Sequence, residues 1–168
     1  NKPSIKFSLT NSSGANIVSS LWSNFKMNDQ EDLKIARSVL NTEAKSILKA
    51  AENIDSTFKK AIDVLDSQNR KIIVTGIGKS GHLGKKISAT LCSTGSPSCF
   101  LHPSEAVHGD LGIHQKGDPV IFLSNSGSTP ELLALEPVLR KRNAQIVGIL
   151  GKVQSKLADK VDVALDAS

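Results

Sequence analysis

The stretch "SNSGSTPE", Ser124 to Glu131, packs five side chains able to donate hydrogen bonds into eight residues, directly after the apolar run "PVIFL". Ser124, Asn125, Ser126, Ser128 and Thr129 supply them, and Gly127 lets the backbone approach a ligand closely. Thr129 is placed to cap a helix with Pro130 at its first position. That helix end would add partial positive charge aimed at the same place. The chemistry implied is a grip on a phosphoryl group made without arginine. Glu131 stands apart from that grip, because a carboxylate repels a phosphate. Acids are common in first helical turns for dipole reasons; facing the carbon end of a ligand, this one would suit proton transfer.

A second stretch, "TGIGKSGHLGKK" from Thr75 to Lys86, fits G-x-G-x-x-G through Gly76, Gly78 and Gly81. A dinucleotide site also wants an acid near the end of the following strand, and that strand ends in Leu101-His102-Pro103. A Walker A loop would need glycine where Ile73 stands. What remains is a glycine turn opening a helix, whose free N–H groups can hold a phosphate. Gly78, Lys79 and Ser80 occupy that turn. A third stretch, "LHPSEAVHGDLGIH", carries three of the four histidines. His102, His108 and Asp110 could meet a metal, but their spacing matches no familiar ligand pattern. Ser104 with Glu105 equally reads as the start of a short helix. For His108, a part in pocket polarity or in contact between subunits is the stronger expectation.

These loops need strands to carry them. Short apolar runs occur at 71–76, 98–102, 119–124, 145–151 and 161–166, continuous as in strands covered on both faces. Helical segments are predicted over 80–93, 130–142 and 155–160, with Pro137 expected to kink or shorten the second. Strands alternating with helices indicate an α/β fold, a doubly wound five-stranded parallel sheet flanked by helices. Ligands then bind at the carboxyl ends of the strands, near the switch in strand order. Two neighbouring strand tips, each opening into a helix, would jointly cradle a dianion.

Ahead of the sheet, Asn28 with Glu31 forms a capping-box pattern. Leu33, Ala36, Leu40, Ala44, Ile47, Leu48 and Ala51 follow at helical spacing. Asp55 or Ser56 can cap a second helix expected to bury Phe58, Ala61, Ile62 and Leu65. The first 26 residues contain no acid and no sustained period. Residues 1–27 therefore read as an unstructured or non-native leader, and 28–168 as one domain. The last strand finishes at about Asp166 with no helix after it, as in a fragment.

Composition sets outer limits. Of 168 residues, 39% are hydrophobic and 22% charged, a globular balance with a net charge of +5 that favours anionic partners. Lysines and arginines are scattered and aromatics are only 4%, with no tyrosine, so platforms for stacking bases are scarce and nucleic acid is not the expected partner. No apolar run reaches the roughly 18–20 residues of a membrane span. Cys92 and Cys99 fit no zinc signature or disulfide framework, and read as two buried thiols in a reducing cytoplasm.

Together, "GIGKSGHLGKKISATLCSTGSPSCFLHPSEAVHGDLG" and "SNSGSTPELLAL" closely resemble the sugar isomerase (SIS) domain family, a flavodoxin-like three-layer sandwich, and within it the arabinose-5-phosphate isomerases. The resemblance implies interconversion of D-ribulose 5-phosphate and D-arabinose 5-phosphate by proton transfer through a cis-enediol, feeding lipopolysaccharide synthesis by way of Kdo. It implies Lys79 and Glu131 as catalytic groups. Gly78, Ser80, Ser124, Asn125, Ser126, Gly127, Ser128 and Thr129 would bind substrate, and His108 would be the pocket histidine that can meet a metal such as zinc. No redox cofactor is implied; a cytoplasmic homotetramer is. It further implies another catalytic glutamate, a histidine and a CBS pair beyond Ser168, so the expectation is a chain that folds and binds sugar phosphate but turns over poorly. A regulatory, non-catalytic sugar-phosphate-binding module and an amino-sugar phosphate enzyme are the competing readings.

Overall fold

The computed structural model describes residues 29–66 and 70–168. The expected leader, 1–27, and the Asn28 cap lie outside the described residues. The chain divides into two units, one ending at Ile47 and the other beginning at Leu48. Helix α1 spans Asp29–Glu52, crossing that division. Asp29, Glu31 and Asp32 occupy its first turn and Lys49 its last, each sign set against the helix dipole's opposite end. α2 spans Ser56–Leu65. Asp55 caps it, accepting from the Thr57 N–H at 2.7 Å and from Thr57 Oγ1 at 2.6 Å.

Five parallel strands follow: β1 Ile72–Gly76, β2 Ser98–Phe100, β3 Val120–Ser124, β4 Ile146–Leu150 and β5 Val163–Asp166. Their order is β2-β1-β3-β4-β5. β1 and β3 are buried along their full lengths, which is why they read as unbroken apolar runs rather than alternating ones. Between strands lie α3 (Lys79–Ser93), α4 (Pro103–Ala106) and α5 (Pro130–Lys141). On one face of the sheet, Val74, Ile121 and Leu123 pack with Ile87 and Leu91 of α3. On the other, Ile73, Phe122, Ile146 and Leu150 pack with Leu132, Leu135 and Leu139 of α5. The doubly wound sheet expected from the alternation is present.

Four local expectations are corrected. α2 meets the sheet through Ala61, Val64 and Leu65, against Val147, Val163 and Leu165. Ala61 is 2% exposed, but Phe58 and Ile62 stand 42% and 44% exposed; close approach at the small alanine turns their row to the flank. Pro137 does not cut α5 short, since the helix runs to Lys141. The hydrogen bond proline removes is offset by burial of Leu132, Leu135 and Leu139. A latch also holds the helix end, where Arg140 binds Glu136 at 3.2 Å, Asp162 at 2.6 Å and the Lys160 carbonyl at 2.6 Å. The thiols are not both buried either. Cys92 is exposed, donating to the Ser98 carbonyl at 3.1 Å, and Cys99 is half-buried. The helix predicted over 155–160 is a single 3-10 turn, Ala158–Lys160.

A buried polar knot closes the amino ends of β1 and β3. The Asp118 carboxylate takes Lys71 at 2.7 Å and the Gln115 N–H at 2.8 Å. His114 Nε2 donates to the Asp118 carbonyl at 3.1 Å, leaving Nδ1 buried without a partner. Burial pushes the His114 imidazole below its ordinary 6.5. Burial lifts the Asp118 carboxyl, but the Lys71 ammonium and the Gln115 N–H outweigh it and hold the group below 3.8. Both shifts favour the folded chain at the higher pH, because the unfolded chain binds the proton more readily. The urea midpoint should be highest above pH 6.5, fall as pH drops below 6.5 toward the lowered imidazole value, and fall again below about 4. A His114→Gln chain should lose the first step and keep the second. A wild-type midpoint unchanged between pH 7.5 and 5 would contradict the buried neutral imidazole.

Candidate functional site

The strand order reverses at β1, whose neighbours are β2 on one side and β3 on the other. Gly76 pairs with Leu123, so the carboxyl tips of β1 and β3 end level, one residue before Ser124. This is the position where an open parallel sheet leaves a crevice.

From the β1 tip the chain enters α3 through Gly78, whose φ of +59° is a conformation that suits glycine. No side chain caps this helix. The first backbone bond of the turn runs from the His82 N–H to the Gly78 carbonyl at 3.1 Å, and the N–H groups before it are those a helix start leaves without internal partners. Lys79, the first residue of α3, is exposed. A cation there opposes the helix dipole, a disadvantage that an anion bound at the same end removes.

The β3 tip is organised by its own hydroxyls. Ser124 Oγ accepts the Gly127 N–H at 3.0 Å and pairs with Thr129 Oγ1 at 2.7 Å. The pair uses one of its two hydroxyl protons internally, so one is left for a ligand whichever side chain donates. Thr129 does occupy the N-cap position before Pro130, but its side chain makes no capping bond because it is turned to Ser124. Gly127, at φ +63°, is pressed against the loop after β4. The Leu157 N–H reaches the Gly127 carbonyl at 2.9 Å, and the Gly151 N–H reaches the Ser124 carbonyl at 3.1 Å.

Two depressions border this loop. A crevice of about 180 Å³ is lined by Ser80, Ser124, Asn125 and Gly151 over an apolar floor that includes Leu123 and Ile149. A wider one, of about 740 Å³, is lined by Ser126 and Ser128 together with Lys152, Gln154, Ser155 and Lys156. The structure thus brings Ser80, Ser124 and Asn125 together and turns Ser126 and Ser128 to the other side. Glu131 is exposed in the first turn of α5. His108 is exposed in the turn after α4.

Metal binding at His108 fares poorly within the chain. Among the described residues no three His, Cys, Asp or Glu side chains cluster as metal ligands, so His102, His108 and Asp110 do not assemble a site. His102 is half-buried, with Nδ1 sealed from solvent and unpartnered. Within the described residues of one chain, these groups do not make up a metal site by themselves. Gly151 and the loop from Lys152 to Lys156 border the site without having stood out in the sequence. The available signal is a glycine at a strand tip followed by lysines and a serine, a pattern that fits the end of a strand and the start of a helix equally well.

The model for the SIS domain matches residues 65–168. The arabinose 5-phosphate isomerase KdsD of Pseudomonas aeruginosa is 42% identical over 145 residues, 84% of this chain and 44% of that protein. The arabinose 5-phosphate isomerase GutQ of Salmonella typhimurium is 40% identical over 136 residues, 81% of this chain and 42% of that one. The chain therefore spans less than half the length of these curated relatives. Among solved structures, E. coli CFT073 c3406 in complex with arabinose 5-phosphate superposes with a TM-score of 0.79 at 38% identity, covering 84% of this chain and 75% of that chain.

Proposed function

The chain belongs to the SIS domain family, and on that premise we propose that it carries the sugar-phosphate site of an isomerase interconverting D-ribulose 5-phosphate and D-arabinose 5-phosphate. The observation that carries the reading is the crevice between two level strand tips, where Ser80, Ser124 and Asn125 line one cavity beside the starts of α3 and α5. The similarity to arabinose 5-phosphate isomerases supports this choice of substrate.

In this reading the free N–H groups at the start of α3, Gly78, Ser80 and the spare proton of the Ser124–Thr129 pair hold the phosphate. Held at that remote end, the phosphate positions the carbon chain. Gly127 and the serines beside it set the shape of the loop. Glu131 moves the proton between C1 and C2, and Lys79 stabilises the enediol oxyanion. The reaction transfers only protons, so no redox cofactor takes part. His108 completes the pocket where copies of the chain meet in a cytoplasmic homotetramer.

The test is deuterium exchange into D-ribulose 5-phosphate at C1 in heavy water. Exchange catalysed by the chain, and weakened about tenfold or more by Ser80→Ala through loss of a charge-assisted hydrogen bond, is the expected result. Tight binding without exchange would keep the sugar-phosphate site and remove the proton transfer from this chain. Absence of binding would end the proposal.

A further inference from the structure

Gly151, the residue after β4, does not have a left-handed φ, so its torsions alone would admit other residues. Contact is what requires glycine there. A Cβ built on Gly151 would lie 2.5 Å from Asn125 Oδ1 and 2.6 Å from the Asn125 carbonyl oxygen. The Asn125 side chain therefore rests against the bare backbone of the β4 tip, and both residues line the crevice. Among the described residues the Asn125 carboxamide makes no hydrogen bond, so its two N–H donors are uncommitted. With no hydrogen bond to fix its rotamer, the side chain is held by its seat on Gly151.

The strand tips decide what would yield to an added methyl group. Ser124 is in register with Leu150. The Gly151 N–H binds the Ser124 carbonyl at 3.1 Å, and the Ala167 N–H binds the Leu150 carbonyl at 2.9 Å. Asn125 is the first residue past β3 and is exposed. The sheet would hold and Asn125 would move.

We propose that Gly151 is a positioning residue: by lacking a side chain it seats Asn125 at the crevice with its carboxamide donors free for the ligand. It sets affinity through Asn125 rather than by a bond of its own. The choice of ligand rests on the isomerase reading; the seat itself does not.

Calorimetric titration of the whole chain with D-arabinose 5-phosphate tests it. Gly151→Ala should weaken binding by about tenfold, as for one lost hydrogen bond to a charged ligand, and Asn125→Ala should do about the same. The two together should bind no worse than either alone, because the methyl group then has no donor left to misplace. Gly151→Ala combined with Ser80→Ala should instead multiply the separate losses, since Ser80 reaches the crevice from α3. In deuterium exchange, half-saturation should rise in Gly151→Ala while the rate at saturation stays within about threefold of wild type. Losses that multiply in the Asn125 pair, an affinity that Gly151→Ala leaves unchanged, or a Gly151→Ala chain that fails to fold would each overturn the inference. A wild type that binds no D-arabinose 5-phosphate would remove the isomerase reading, and the seat is then decided without ligand. Scalar couplings of the Asn125 side chain should report one χ1 rotamer in wild type and a different or averaged one in Gly151→Ala. The same rotamer in both would overturn the seat.

Discussion

Gly127→Ala should cost about 3 kcal/mol or more of stability and abolish detectable sugar-phosphate binding, the largest structural effect expected from any single methyl group in the loops. Two penalties combine. At φ +63° an alanine pays roughly 1–2 kcal/mol for the left-handed conformation. Its Cβ would also overlap the Ser155 hydroxyl, lie 2.5 Å from Ser155 Cβ, and lie 2.8 Å from the Lys152 carbonyl oxygen. Backbone on both sides must then shift. Neither side is free to do so, because the Gly127 carbonyl is held by the Leu157 N–H and the Gly127 N–H by Ser124. Moving Ser124 disturbs its pairing with Thr129, and with it the hydroxyl proton available to the ligand. Urea denaturation and calorimetric titration would read the two effects. Adding Ser155→Gly removes the side-chain overlap but not the strained φ or the nearby carbonyl, so it should recover part of the stability. A Gly127→Ala chain within about 0.5 kcal/mol of wild type, the ordinary range for a neutral surface change, would mean that the two loops are not pressed together as described.

Glu131→Gln should act on chemistry alone. The side chain is exposed and makes no ion pair among the described residues, so stability should fall only by the roughly 0.3–1 kcal/mol that a first-turn acid contributes through the dipole. A positioned base is worth about 10²–10⁴ in rate, and deuterium exchange into the sugar phosphate should drop by that factor. Binding should hold or tighten, because the substitution removes a negative charge near a dianion. Lys79→Met should weaken binding and slow exchange together, since it deletes the cation nearest the α3 start. Exchange by Glu131→Gln within about threefold of wild type would remove Glu131 from the proton transfer and leave another group to be found.

Much of this was readable along the chain because it is local. A strand buried on both faces has to be a continuous apolar run, which located β1 and β3 to within a residue. The α5 boundary followed from Thr129-Pro130, since proline's missing N–H costs nothing at a first helical position. Gly78 and Gly127 marked the turns because their backbone torsions are ones that other residues resist. The oxyanion character of the Ser124–Thr129 loop followed from residue type alone.

What needed the third dimension was contact between segments distant in sequence. Spacing predicts which residues share a helix face but not the angle at which that face meets a sheet, and so Phe58 and Ile62 turned out to lie on the flank of α2 beside a close contact at Ala61. Composition made Cys92 look buried, while the packing of α3 left it at the solvent. Ser124 through Thr129 read as one uniform grip until the loop after β4 packed against Gly127 and split it, with Ser124 lining the crevice beside Ser80 and with Ser126 and Ser128 lining the depression on the other side. Torsional preference and periodicity are properties of a few consecutive residues, and the sequence determines them by itself. Which hydroxyl lines which cavity depends on the backbones of β1, β3 and β4 lying side by side, and only the folded chain decides that.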